Sequence, residues 1–209
     1  NTFVGVASEN AITSTDNGLN WAQKGGANLY DVTFGNSTFV GCGPDGGIDS
    51  SINNGTNWTS QISGATTFTL YGITFGNNRF ISVGSSGKLI KSTDNGSSWS
   101  NVDSRVSSTL NSIAFGTVGS KDFFIGVGNS TVIVSEDNGT SFIEKVNTLT
   151  FKDITYGNEL FVAVGNDENI YTSTDGNTWT KVYGKWRQTQ YGLFKLIYRK
   201  NGRLDRFVH

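Results

Sequence analysis

The sequence predicts an all-β chain folded as a five-bladed β-propeller, each blade a four-stranded antiparallel sheet. Three observations carry this expectation. The 209 residues include 27 Gly, abundant Ser, Thr and Asn, a single Pro and 12% aromatics, a turn-rich composition suited to many short strands. Three short patterns recur in fixed order along the chain. The aromatic that ends the third pattern, at Trp21, Trp58, Trp99, Phe142 and Trp179, returns every 37, 41, 43 and 37 residues, close to the length of one blade. Helical repeats of similar period would show apolar residues at i, i+3 and i+4 and few glycines, and neither holds here.

The first pattern is Ile/Val-x-aromatic-Gly: Val32-Thr33-Phe34-Gly35, Ile73-Thr74-Phe75-Gly76, Ile113-Ala114-Phe115-Gly116 and Ile154-Thr155-Tyr156-Gly157. It marks strand A of each blade. The second is an apolar run, as in Phe39-Val40-Gly41-Cys42 and Phe80-Ile81-Ser82-Val83, and marks strand B. Its apolar residues are contiguous, so both faces of strand B should be buried between neighbouring blades. Strand C leads into the third pattern, as Lys88-Leu89-Ile90-Lys91 does, and strand D starts at the terminal aromatic.

The chain begins inside strand B of its first repeat, leaving that blade without a strand A. Residues Leu193 to Tyr198 (Leu-Phe-Lys-Leu-Ile-Tyr) line up with Phe151 to Tyr156 and are expected to close the ring by pairing with residues 2–7. Closure of this kind removes exposed sheet edges. The expected organisation is one propeller domain over 1–198, followed by a basic tail over 199–209. Four of the eleven tail residues are Lys or Arg; they make either a divergent terminus or a docking segment for an acidic partner, with Trp186 placed to brace it.

The third pattern reads STDNGLNW (14–21), SINNGTNW (51–58), STDNGSSW (92–99), SEDNGTSF (135–142) and STDGNTW (173–179). Asp16, Asp94, Asp137 and Asp175 can accept hydrogen bonds from N–H groups of their own turn, and the amide oxygen of Asn53 can do the same. Gly18, Gly55, Gly96 and Gly139 can supply the positive φ such a turn needs, and the final copy is one residue shorter. The ring of Trp21, Trp58, Trp99, Phe142 or Trp179 can pack beneath the turn as part of the core. Ser-x-Asp-x-Gly-x-Thr/Ser-Trp resembles the Asp-box, or BNR, repeat, and five copies in phase cover nearly the whole chain. The resemblance implies a propeller in which the motif forms the hairpin between the third and fourth strands.

The motif's acidic position brings one carboxylate in four copies and none at Asn53, whereas calcium takes six to eight oxygen ligands, so the repeated acid reads as scaffold rather than metal site. With one histidine, His209, and one cysteine, Cys42, no zinc site of the usual kinds is expected, and Cys42 reads as a buried thiol in an apolar run. No cofactor is expected. Sixteen Lys and Arg against seventeen Asp and Glu give no electrostatic case for nucleic acid. No run of 18 apolar residues suggests a membrane span. Low charge and heavy Ser, Thr and Asn usage lean towards an extracellular or particle-surface setting.

Asp-box propellers include sialidases, which use three arginines, a Tyr/Glu nucleophile pair, an acidic proton donor and an Arg-Ile-Pro type motif. Here only Arg79 and Arg105 precede residue 187, and the single proline is Pro44 in Gly43-Pro44-Asp45. A Ser/His/Asp or Cys/His arrangement cannot be built around a histidine at the terminus. Carboxylates among Glu9, Asp45, Asp167 and Glu168 could pair in space, but no pair stands out. The expectation is a non-catalytic chain.

Strand order divides the loops between two faces. A–B turns and the Ser-x-Asp turns share one and are nearly the same in every copy. B–C turns and D–A connections share the other and vary. Variable loops on a rigid scaffold are where binding residues gather, so the expected ligand-binding residues are Glu9, Asn10, Asp45, Ser85, Ser86, Asn129, Asp167 and Glu168. Their short polar side chains suit hydroxyl-rich ligands or a protein surface. The leading expectation is a lectin-like or adhesive module for a glycan or surface ligand; the alternatives are a protein-interaction scaffold within a larger assembly and, more remotely, a glycosidase.

Overall fold

A computed structural model describes residues 2–7, 9–25, 28–146, 148–166 and 169–182. The expected strand 193–198, the tail 199–209, Trp186, Asp167 and Glu168 lie outside the described residues. The described chain is all-β and forms five antiparallel sheets in sequence order. It divides into two units, 1–102 and 103–209.

The first unit holds three sheets. One has three strands, β1 (Phe3–Val6), β2 (Ala11–Ser14) and β3 (Ala22–Lys24). The next has β4 (Asp31–Gly35), β5 (Thr38–Cys42), β6 (Ile48–Ser51) and β7 (Thr59–Gln61). The third has β8 (Leu70–Gly76), β9 (Arg79–Gly84), β10 (Leu89–Ser92) and β11 (Ser100–Asn101). The second unit holds two four-stranded sheets: β12 (Leu110–Val118), β13 (Lys121–Gly128), β14 (Thr131–Ser135) and β15 (Ile143–Val146), then β16 (Phe151–Gly157), β17 (Leu160–Gly165), β18 (Ile170–Ser173) and β19 (Thr180–Val182). Every sheet is a meander, and the four complete ones carry strands A to D where the repeat places them.

In three sheets the A–B hairpin is closed by a two-residue turn with both residues left-handed: Asn36 and Ser37 (φ 46° and 60°), Asn77 and Asn78 (45° and 60°), Asn158 and Glu159 (51° and 59°); β12 and β13 run further and turn at Gly119-Ser120, where Gly119 is left-handed at 60°. Such turns match the right-handed twist of the flanking strands. They set a register in which the strand A aromatic lies opposite the strand B aromatic: Phe34 with Phe39, Phe75 with Phe80, Phe115 with Phe124, Tyr156 with Phe161. The ring centroids are 4.5, 4.7, 4.8 and 4.9 Å apart, tilted in each pair, a favourable aromatic arrangement.

The core lies between successive sheets. In the first unit Val40, Cys42, Ile48, Leu70, Ile73, Phe80 and Ile90 form one buried cluster joining the second and third sheets. In the second unit Phe123, Ile125, Val127, Val134, Phe151, Ile154 and Phe161 join the two sheets in the same way. Strand B is buried over most of β5, β9 and β13, as its unbroken apolar run requires. β1 departs from this: Phe3 is exposed and Val4, Gly5 and Val6 are only half-buried. β1 is an edge strand among the described residues, with β2 on one side only.

Successive sheets within a unit lock through glycine. The Gly closing strand A leaves room for the next sheet's strand A aromatic: a β-carbon on Gly35 would lie 2.1 Å from the Phe75 ring, and one on Gly116 would lie 2.2 Å from the Tyr156 ring. At three of these strands the other end carries a β-bulge, at Tyr71, Asn111 and Lys152, which adds a residue to strand A without changing the pairing beyond it.

Candidate functional site

The five Ser-x-Asp/Asn turns share one hydrogen-bond plan. In the third, the Ser92 hydroxyl donates to Asp94 Oδ1 at 2.8 Å and accepts from the Gly96 N–H at 2.9 Å. The Ser98 N–H donates to Asp94 Oδ1 and its hydroxyl to Oδ2, at 2.9 and 2.6 Å. Ser14, Ser51, Ser135 and Ser173 repeat the serine bridge to Asp16, Asn53, Asp137 and Asp175. Asn95 and Gly96 are both left-handed, at φ 60° and 82°. The Gly96 α-carbon also approaches Val40 of the preceding sheet so closely that a β-carbon would lie 3.0 Å from it.

These hydrogen bonds fix the electrostatics of the turns. The Asn20 N–H and side-chain amide, with the Ser14 hydroxyl, hold the Asp16 carboxyl down at about 2. Ser98 holds Asp94 down in the same way. At Asp137 partial burial pushes the carboxyl up, but the Ser141 hydroxyl and N–H, with Ser135 and Thr140, bring it to about 2. Asp175 is also raised by burial and lowered further by Asn177 and Thr178. All four are therefore anions bonded within their own turns. The side chain of Asn36, on an A–B turn, donates to Asn95 at 3.0 Å, so in the first unit these two turn types share one end of the sheets.

The terminal aromatics are less uniform than a common core role implies. Phe142 is fully buried, Trp58, Trp99 and Trp179 are half-buried, and Trp21 is 47% exposed. Each indole N–H donates to the carbonyl three residues back, at Gly18, Gly55, Gly96 or Gly176, within 3.0–3.1 Å. An indole tethered to a turn carbonyl must stay near the surface, whereas the phenyl ring has no polar group to hold it there.

At the other end of the sheets, B–C turns interlock with D–A segments. Leu70 N–H donates to the Gly43 carbonyl at 3.0 Å, and Gly46 N–H to the Phe68 carbonyl at 2.6 Å. Ser85 N–H donates to the Thr69 carbonyl at 2.8 Å, while the Ser85 hydroxyl accepts from Thr69 N–H at 3.0 Å. Leu29 N–H reaches the Ala7 carbonyl at 3.5 Å, and Ala7 N–H closes the first B–C turn on the Asn10 carbonyl at 3.0 Å. In the second unit Asn129 N–H donates to the Thr109 carbonyl at 3.0 Å and its side-chain oxygen accepts from Asn111 at 3.2 Å.

The expected site residues therefore divide. Asp45 and Ser86 occupy the same left-handed position of two equivalent turns, with φ 52° and 53°, and both are exposed. Ser85 serves the fold by clamping the D–A segment, and Asn129 does so through its N–H on Thr109 while its side chain accepts from Asn111. Glu9 is exposed and Asn10 half-buried on the β1–β2 turn. Asp45, Ser85 and Ser86 all border the Phe68–Leu70 segment.

Two residues absent from the expected set stand beside them. Tyr30 and Tyr71, at the entrances of β4 and β8, lie stacked with ring centroids 6.2 Å apart and planes 7° from parallel, and are 49% and 38% exposed. Tyr30 N–H donates to the Cys42 carbonyl at 2.7 Å, so Cys42 and Gly43 hold the two tyrosine-bearing segments together. The sequence signal is the shared Leu-Tyr before strand A at Leu29-Tyr30 and Leu70-Tyr71, replaced by Leu110-Asn111 and Phe151-Lys152 in the second unit. Among the described residues no His, Cys, Asp and Glu cluster is arranged to hold a metal, and no helix is long and apolar enough to cross a membrane.

No protein-family model and no curated protein matches the chain. Solved structures do. YCF48 from Cyanidioschyzon merolae is similar over 83% of this chain and 66% of its own, with TM-score 0.56 and 16% identity. YCF48 bound to D1 peptide is similar over 83% and 62%, with TM-score 0.61 and 13% identity. The Neurospora crassa Pan2 WD40 domain is similar over 73% and 48%, with TM-score 0.58 and 16% identity. The chain thus spans less than two thirds of each of these proteins. The shared feature is the fold, that of a β-propeller.

Proposed function

We propose that this chain is a protein-interaction propeller that receives a peptide segment of its partner on the B–C and D–A loops. The observation that carries the reading is the likeness to YCF48 bound to D1 peptide, a propeller holding a peptide. The interlocked loops add support, because backbone hydrogen bonds preorganise them and lower the entropy cost of binding. The comparisons give the glycan-binding alternative no such support. The five Ser-x-Asp/Asn turns are Asp-boxes in this reading and serve the scaffold. The chain binds rather than catalyses, and a panel of aryl glycosides should remain intact in its presence. Its low charge and hydroxyl-rich loops suit an extracellular or particle surface.

Selection from a random-peptide library on the immobilised chain, run beside a glycan array, tests the function. Enriched peptides should protect the amides of residues 45–47 and 68–71 from hydrogen exchange. Sugar hits that raise Tm, without any enriched peptide, would overturn the reading.

The ring is proposed to close through residues 193–198 on β1, whose free edge among the described residues supports it. Tyr198 would then oppose Phe3 as Tyr156 opposes Phe161. Removing residues 193–209 should lower Tm well beyond removing 199–209; equal effects would refute closure by this strand.

A further inference from the structure

We infer that the Tyr30–Tyr71 pair is the receiving floor for a cationic side chain, arginine above all, carried by an extended segment of a protein partner. The inference rests on the protein-interaction reading and names the chemistry of its central contact. Its first support is the pair itself: two near-parallel aromatic rings, both substantially exposed, on adjacent sheets at the loop end that the backbone holds rigid. A cation on a tyrosine face is attracted by the ring quadrupole. With 6.2 Å between centroids the pair is a surface rather than a slot, since a planar group held between rings needs roughly 7 Å, two separations of about 3.5 Å. The bound group would lie across the rings.

Charge complementarity selects the cation. The Asp31 carboxylate accepts from Val32 N–H at 2.9 Å and from Ile73 N–H at 3.0 Å, which holds it between the start of β4 and β8, next to Tyr30 in the chain. Asp45 stands exposed on the turn bonded to Phe68 and Leu70, just before Tyr71. The cation of this neighbourhood, Lys88, is already engaged: its Nζ donates to Asn101 and sits 4.9 Å over the Phe68 ring. The same D–A segment therefore holds one ammonium on an aromatic face within the chain itself, and Tyr71 offers the next face along. Arginine fits better than lysine because its planar, weakly hydrated guanidinium can stack on a ring while presenting N–H groups to Asp45. Asn111 and Lys152 at the matching positions of the second unit supply neither ring nor acceptor charge, so the site belongs to the first unit.

The test uses the full chain and three fluorescein-labelled peptides, a Gly-Arg repeat, its citrulline counterpart and its glutamate counterpart. The Gly-Arg peptide should bind saturably and more weakly as salt rises, and the other two should not bind. Tyr30→Ala and Tyr71→Ala should each weaken binding about two- to fivefold with Tm unchanged, while Tyr71→Phe should retain it. Asp45→Asn should weaken it as well. Equal binding of the citrulline peptide, or indifference to both Tyr→Ala changes, would overturn the inference. If the library yields peptides without Arg or Lys that bind independently of Tyr30 and Tyr71, this inference fails and the protein-interaction reading stands. If sugars bind through Tyr71 and no peptide is enriched, both fail.

Discussion

Gly35 faces Phe75 across two successive sheets so closely that a β-carbon on Gly35 would stand 2.1 Å from the ring. The same fit recurs between Gly116 and Tyr156 in the second unit. Within each unit the glycine of one Ile/Val-x-aromatic-Gly motif is thus matched to the aromatic of the next copy, and one motif supplies both halves of the contact.

Gly35→Ala and Gly116→Ala should each destabilise the fold by about 1–3 kcal/mol, because a methyl group cannot enter without moving a packed ring. Phe75→Leu should recover part of the loss at Gly35→Ala but should be destabilising alone. A double-mutant cycle by urea denaturation measures the coupling.

The Ser92 hydroxyl is the acceptor for the buried Gly96 N–H. Ser92→Ala should cost about 1–3 kcal/mol, the penalty for stranding a buried donor. Ser100→Ala, on an exposed strand, should stay within about 0.5 kcal/mol and serves as the control in the same denaturation experiment.

Acid sensitivity should follow the turn aspartates. Asp16 and Asp137 sit at about 2 against an ordinary value of 3.8, and Asp94 and Asp175 are lowered as well. A carboxyl lower in the folded state contributes stability that is present above the unfolded value and lost as pH falls through the folded one. Stability should therefore fall between about pH 4 and pH 2. Replacing the four aspartates by asparagine, the residue already present at Asn53, should flatten that fall in Tm measured against pH.

In the second unit the Ser112 hydroxyl donates to the buried Asp153 carboxylate at 2.6 Å, and Asp153 also accepts from Ile154 N–H at 2.9 Å. Ser112→Ala should cost about 1–3 kcal/mol. The loss should be smaller in an Asp153→Asn background, and a double-mutant cycle should show about 0.5–3 kcal/mol of coupling.

The candidate site was legible only in part. Strand order placed Asp45 and Ser86 on the variable loop end, because alternating hairpins leave no other choice. It could not distinguish them from Ser85, whose hydroxyl is committed to Thr69. Tyr30 and Tyr71 read in sequence as ordinary residues entering strand A. Only the bulge at Tyr71, and the backbone bonds of Cys42 and Gly43, turn the two rings towards each other at the surface.

What the sequence determined by itself is the blade: strand positions and five Ser-x-Asp/Asn turns. Those features rest on hydrogen bonds and side-chain alternation spanning a few residues, and each copy repeats them. The tertiary structure alone decided the glycine–aromatic locks, the exposure of Trp21 against the burial of Phe142, and the tyrosine pair. Each depends on contacts between sheets about 40 residues apart, or on how deep a polar group lets a ring sink, and neither is encoded in any one repeat.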